Sequence, residues 1–448
     1  MKKVRIGAGT GFYGDTIRPA IQSVTEGNIQ YLCFDALAEL TMAILQKDKE
    51  KDPNLGFTKD LSLFMRQLIP LCAEKGVKML TNAGGVNPRG AKRVIEKIIE
   101  ELELNLKVAV VTGDDLLESL NEFKQRDLLV NMQDGKRFDP DLHRVAFANA
   151  YLGAEPLVEA LAQGADIVIT GRTTDAAQFA APLIYEFGWK KDEWDKLARA
   201  MTIGHLMECS AQSVGGNFSG DWKSIDLINI GYPIAEVEEN GEAIITKTPN
   251  SGGLVSVNTL KEQLLYEVHD PYNYILPDVV VNIADTKLEQ VDENMVRVYG
   301  TSGKPATNSY KVLIGYENGY IGEATIGYSW PDALEKAKRA AEIIVAHIKE
   351  ENIKYEDIHI SYIGYDSFHG PLAEPDPNLN EVDLRIAIHT KSKQDAARLG
   401  RLIPPLGLNG PPFSSGLGGI RRPRGLYGIC PILVPKEIVN EKITVEVT

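Results

Sequence analysis

The fold turns on "GADIVITGRTTDAAQ", residues 164–178. The apolar run at 165–169 suits a parallel strand covered on both faces. It ends abruptly in Gly171, Arg172, Thr173, Thr174 and Asp175, after which the chain turns into a helix. Polar residues that follow such a strand gather at the carboxyl edge of an open α/β sheet, where ligands bind. The stretch therefore predicts a sheet and a site together.

Working outward, apolar runs at 4–7, 31–34, 78–81 and 107–112 alternate with amphipathic stretches. That order predicts βαβ units forming a mainly parallel sheet with flanking helices. In "GAKRVIEKIIEELEL" (90–104), Val94, Ile98 and Ile99 share one helix face. Beyond residue 200 the texture becomes strand-rich, and "EVEENGEAIITKT" (236–248) and "KVLIGYENGYIGEATIGYS" (311–329) read as hairpins with Asn-Gly turns. "WPDALEKAKRAAEIIVAHIKE" (330–350) reads as a helix with Pro331 near its start. The expected class is α/β in three stretches: a core with ligand loops over 1–200, an α+β continuation over 201–350 and a small α+β module over 351–448.

The 448 residues are 44% hydrophobic and 25% charged, as in soluble globular chains. A net charge of −14 argues against nucleic acid or an anionic membrane as partner and leaves room for a small anionic substrate. Four scattered cysteines without CxxC spacing predict neither a disulfide framework nor a thiolate zinc site, and fit a reducing cytoplasm. No apolar signal core opens the sequence, and no run approaches the roughly 18 apolar residues of a membrane span. A cytoplasmic chain is expected, and a homo-oligomer on general grounds.

Four strand ends carry small or polar residues. Gly9, Gly11 and Gly14 follow the first, with Asp35 after the second at the spacing of a dinucleotide fingerprint, which raises an NAD-linked oxidoreductase as one reading. Asn82, Gly84, Gly85 and Asn87 follow the third, and Asp114 the next. If these loops share one edge, they offer backbone N–H donors to an anion, with Arg172 as a bidentate clamp. The alternative makes Thr174 or Asp175 a helix cap and Arg172 a surface partner.

In "MTIGHLMECSAQSVGGNFSGDW" (201–222), His205, Glu208, Cys209 and Gln212 fall on one helix face. His205 with Glu208 then forms an acid–base pair, Cys209 is a candidate nucleophile, and Asp175 completes the catalytic set; core packing is the competing reading. Gly215 and Gly216 would end that helix, and Ser251, Gly252 and Gly253 resemble an anion nest. No HExxH spacing, P-loop or nucleophile elbow occurs, so cofactor and metal stay unspecified.

The segments "GAGTGFYGD", "LTNAGGVNPRGA", "GADIVITGRTTDAA", "GHLMECSAQSVGGNF" and "DPYNYILPDV" resemble, in order, the acyclic terpene utilisation AtuA family. The end, with "PRGLYGICPILVPKEIV", resembles the ferredoxin-like module of some members. The resemblance implies a lyase, foremost a hydro-lyase and otherwise a carbon–carbon lyase, acting in catabolism on a branched or unsaturated acid or its coenzyme A thioester. A subunit that needs a partner chain for activity is the alternative it leaves open.

Overall fold

A computed structural model describes residues 2–374, 376, 378–415 and 419–448. Strands β1 (Lys3–Thr10), β2 (Tyr31–Phe34), β3 (Lys78–Thr81), β4 (Val108–Thr112), β5 (Val145–Ala150) and β6 (Ile167–Thr170) alternate with helices. Five of them lie side by side in the order β1-β2-β3-β6-β4, and every neighbouring pair is parallel. Their C-terminal ends consequently share one edge, as the opening motif predicts.

Both faces of this sheet are covered, which explains its uninterrupted apolar runs. Helices Arg18–Glu26, Leu61–Lys75 and Pro88–Glu101 pack one face in a core that includes Leu32, Met79, Ile95, Ile98, Val110 and Ile169. Helix Ala177–Phe187 contacts β1, β2 and β3. Helix Pro88–Glu101 starts where Asn87 accepts a hydrogen bond from the Gly90 N–H at 3.0 Å, with proline at its first position. Its buried stripe centres on Ile95, Ile98 and Ile99, while Val94 is only partly buried.

The region after residue 200 first extends the same sheet. β7 (Pro233–Glu238) and β8 (Ala243–Lys247) form the expected hairpin, with Gly241 at φ +81°, and β7 pairs antiparallel with β1. β9 (Tyr274–Ile275) and β10 (Val280–Asn282) precede β11 (Lys287–Asp292), β12 (Met295–Tyr299) and β13 (Ser302–Lys304). β11 and β12 continue the sheet beyond β8, while β13, β10 and β9 make a small sheet of their own.

The second expected hairpin is not formed. Residues 309–329 are one strand, β14 (Ser309–Ser329), because its two halves have different partners. Near its start the Lys311 carbonyl accepts the Tyr151 N–H at 2.9 Å, and from Tyr320 onward it pairs with β16 (Glu381–Thr390). Gly319, at φ +79°, sits where a Cβ would lie 2.4 Å from the Thr390 carbonyl oxygen, so it marks a close approach and not a turn. The following helix starts at Ala333, two residues beyond Pro331.

The chain divides into two compact units, not three consecutive stretches: residues 1–314 with 429–448, and residues 315–428. The second unit runs from the later part of β14 through helix Ala333–Glu350, β15 (Asp357–Ile363), β16, helix Lys393–Arg401 and β17 (Gly419–Ile420), with sheet order β15-β16-β14-β17. This is a β-α-β-β-α-β succession whose core includes Ala324, Ile326, Ile344, Leu384, Ile386 and Leu399. The boundary placed at 350 separates its first strand and helix from their partners. β18 (Arg424–Pro435) leads back to the first unit, where β19 (Thr444–Val447) pairs with β4 and closes the ten-stranded sheet.

Gly84 ties the loop after β3 to the end of β6. A Cβ there would lie 2.4 Å from the Thr170 carbonyl oxygen and 2.8 Å from Pro88 Cα, backbone atoms that cannot rotate away. Gly84→Ala should cost about 1–3 kcal/mol, as overpacking does elsewhere. A fall in the urea midpoint checks this, and an unchanged midpoint would contradict the close packing.

Candidate functional site

Three strand-end loops meet in a cavity of about 510 Å³ within the first unit. Gly11 and Phe12 follow β1, Asp35 to Glu39 follow β2, and Arg172, Thr174 and Asp175 follow β6. The walls are completed by Tyr151 after β5, by Glu208 and Cys209 at the end of helix Trp194–Glu208, by Tyr266, Glu267 and Tyr274, and by Lys311 on β14. Phe12 and Ile275 leave apolar surface at the rim, 59% and 60% exposed.

Arg172 is braced on several sides. Its side chain is 2% exposed, Nη1 donates to the Leu37 carbonyl, and the same nitrogen lies 3.1 Å from Asp175 Oδ1. The guanidinium carbon stands 4.1 Å from the centre of the Tyr151 ring, and Lys311 Nζ stands 4.4 Å from that same ring. Tyr151 donates its hydroxyl to Glu39 Oε1 at 2.7 Å, and Lys311 Nζ donates to it at 3.1 Å. Burial opposes ionisation of Glu39, yet Tyr151, Lys311 and Arg172 hold its carboxyl down at about 2. The backbone is fixed too, since the Arg172 N–H donates to Asp114 Oδ2 at 2.8 Å, beside the Asn149 amide at 2.8 Å. Burial lifts the Asp114 carboxyl to about 6 in spite of those donors.

Of the predicted helix face only His205 and Glu208 lie on the helix, which ends at Glu208; Cys209 follows it and Gln212 lies in the turn Ser210–Val214. His205 Nδ1 lies 2.7 Å from Glu208 Oε1, and both side chains are buried, but Glu208 lines the cavity whereas His205 stands behind it. Burial, opposed by the histidine, raises the Glu208 carboxyl to about 7. His205 is itself raised: burial works against its charge, and Glu208 outweighs burial. Among the described residues Glu208 Oε2 has no hydrogen-bond partner, and neither do Thr174 Oγ1, Arg172 Nε and Asp175 Oδ1, the last having only its ion-pair contact with Arg172. Buried polar atoms are rarely left so, and four of them on residues lining one cavity mark a place for a polar ligand group.

Asp35 is buried and accepts the Asn82 side-chain N–H at 2.5 Å, while Asn82 Oδ1 accepts the Ala36 N–H at 2.8 Å. Burial and the nearby Asp175 carboxylate push Asp35 well above the usual carboxylate range, and burial also raises Asp175. Cys209 lines the cavity, but burial and Glu208 push its thiol up, so nothing generates the thiolate that a nucleophile needs. Among the described residues no group of three or more His, Cys, Asp or Glu side chains is placed to hold a metal ion.

Several predicted positions lie behind or away from the cavity. Gly9 and Gly171 are close-approach glycines, where a Cβ would meet the Phe34 ring and Asp114 Oδ1, each at 2.4 Å. Thr173 is buried and donates to Gln178 Oε1 at 3.1 Å. Gly85, Asn87 and Asp114 line a separate cavity of about 210 Å³ at the same sheet edge. Gln212 donates to Gln263, which donates to the His205 carbonyl at 2.8 Å, and Gly215 and Gly216 end the short turn Ser210–Val214. The anion nest at Ser251–Gly253 is absent, because these three N–H groups already donate to the carbonyls of Thr248, Asn229 and Asp226. The dinucleotide fingerprint fails as well: Gly9 lies within β1, helix Arg18–Glu26 starts four residues after Gly14, and Asp35 is turned onto Asn82.

Sequence reasoning missed Glu39, Tyr151, Tyr274 and Lys311. Tyr151 follows the apolar "VAFANA" strand (145–150) and was readable as one more strand end, whereas Lys311 reaches the site only through long-range pairing.

Two outcomes test this geometry. Arg172→Ala leaves Asp175 without its counter-charge; with Asp175 31% exposed, the loss should be about 2–4 kcal/mol, somewhat below the roughly 3–5 kcal/mol of breaking a fully buried pair. Stability unchanged in that variant would contradict the brace. Glu208 ordinarily releases its proton near 4.5 and in the fold near 7. Between those values the folded chain keeps a proton that the unfolded chain has lost, so stability falls as pH rises through the window, and raised His205 adds a fall in the same sense at higher pH. The melting temperature should therefore drop less across this window in Glu208→Gln than in the unaltered protein, and parallel curves would contradict it.

No curated protein matches the chain. Among the described residues no helix is long and apolar enough to cross a membrane. The family described as acyclic terpene utilisation family protein AtuA matches residues 4–445, nearly the whole chain, so this chain belongs to that family and takes part in the utilisation of acyclic terpenes.

Proposed function

We propose that the cavity is the active site of a catabolic lyase, foremost a hydro-lyase, that adds water to or removes it from a branched or unsaturated acid or its coenzyme A thioester. The observation that carries this reading is Glu208, a buried carboxyl held at about 7, bound through one oxygen to His205 and unpartnered at the other. A group balanced near neutrality both takes and returns a proton efficiently.

In the dehydration direction Glu208 takes the proton next to the carbonyl, and the C–H electron pair becomes the new double bond. The C–O bond to the β-hydroxyl breaks, and Asp35, held protonated by burial, supplies the proton that lets the oxygen leave as water. The Thr174 hydroxyl and Arg172 Nε, both unpartnered, serve as donors to the carbonyl oxygen as negative charge builds on it. His205 is a positioning residue that orients Glu208 and limits how far its carboxyl rises. The β-α-β-β-α-β unit is read as the ferredoxin-like module.

The test is turnover of branched β-hydroxy and α,β-unsaturated acids and their thioesters, followed by mass spectrometry for gain or loss of water. Glu208→Gln should lower kcat by about 10²–10⁴-fold with little change in KM. His205→Gln should cost less and move the acidic limb of the rate profile to higher pH, because Glu208 loses the partner that lowers it. Full turnover in Glu208→Gln would refute the assignment.

A further inference from the structure

The ionisable side chains around the cavity are unequally divided. Five carboxyls line it, Asp35, Glu39, Asp175, Glu208 and Glu267, against two cations, Arg172 and Lys311. Neither cation is idle. Arg172 Nη1 is engaged by the Leu37 carbonyl and by Asp175, and Lys311 Nζ lies 3.1 Å from Glu39 Oε1. An incoming carboxylate would have to displace Asp175 from Arg172 or Glu39 from Lys311, and the displaced carboxylate would then stand unpaired beside it. Like charges in such partly desolvated surroundings repel strongly.

What the cavity does leave open suits an uncharged oxygen. Thr174 Oγ1 and Arg172 Nε are buried donors without acceptors, and the free Glu208 oxygen, when protonated, is a third. We propose that the cavity receives the reacting end of its substrate as a neutral acyl carbonyl, such as a thioester, and discriminates against the free carboxylate. This rests on reading the cavity as an acyl acid–base site, and it replaces the small anionic substrate with one whose charge, if any, lies away from the reacting carbon. The internal ion pairs then act as a selectivity device: by occupying their own cations they exclude the free acid.

Three saturated branched probes, which cannot undergo the hydration reaction, separate binding from turnover: isobutyrate, isobutyramide, and the N-acetylcysteamine thioester of isobutyric acid. Calorimetry on the full chain at about neutral pH should give the amide and the thioester at least roughly tenfold tighter binding than the carboxylate, the scale of one removed like-charge contact. Asp175→Asn, which releases Arg172, should shift the preference toward isobutyrate by at least about tenfold. Glu39→Gln, which releases Lys311, should shift it the same way and serves if the first variant folds poorly. Isobutyrate binding as tightly as the amide, no binding by any of the three, or an unaltered preference in folded variants would each overturn the proposal. None of these readouts involves turnover, so intact activity in Glu208→Gln would refute the acid–base assignment while leaving the neutral-carbonyl preference to stand on its own result.

Discussion

A guanidinium as deeply buried as that of Arg172 must find acceptors and counter-charge inside the protein, and the site is arranged around that requirement. The Leu37 carbonyl comes from the loop after β2, Asp175 from the loop after β6 and the Tyr151 ring from the end of β5. One cation thereby holds three strand ends together. It also draws carboxylates into a small volume, and with burial this crowding keeps Asp35 and Glu208 protonated at pH values where carboxyls are ordinarily ionised. The sequence motif suggested a clamp extended toward a ligand. The folded arginine is first a brace, and its unpartnered Nε is what remains for chemistry.

Around this brace, residues are paired front to back. Asp35 faces the cavity and Asn82 holds it; Glu208 faces the cavity and His205 holds it; the Arg172 side chain lines the cavity while Asp114 holds its backbone. Gln263 and Gln212 extend the second of these lines by binding the His205 carbonyl in sequence. Each supporting group limits the freedom of the one in front, as the proposed acid–base chemistry requires. Several residues predicted to bind substrate therefore stand behind those that line the cavity.

The fold was legible where periodicity and burial agree. The strands at 31–34 and 78–81 were read to the residue, because each has an apolar centre, Leu32-Cys33 and Met79-Leu80, and is followed directly by a polar residue, Asp35 or Asn82. The strand at 309–329 was misread, because Asn318-Gly319 has the chemistry of a hairpin turn and only the tertiary partners of each half keep it extended. The cavity was partly legible for the same reason as the strands, since Asp35, Arg172 and Asp175 follow apolar runs directly. Lys311 and Glu39 meet across 272 residues, and no local pattern encodes such a pairing. Ser251–Gly253 had a nest's composition, yet its N–H groups are consumed by neighbouring carbonyls that no motif reveals.

The proposed acid–base chemistry requires Glu208 to carry a proton near neutrality at a place open to substrate. Infrared difference spectroscopy between the unaltered protein and Glu208→Gln isolates the protonated carboxyl band of that one side chain across a pH series. That band should disappear with a midpoint near 7, the value to which burial raises the group against His205. A midpoint near 4.5, that of an ordinary glutamate, would contradict it.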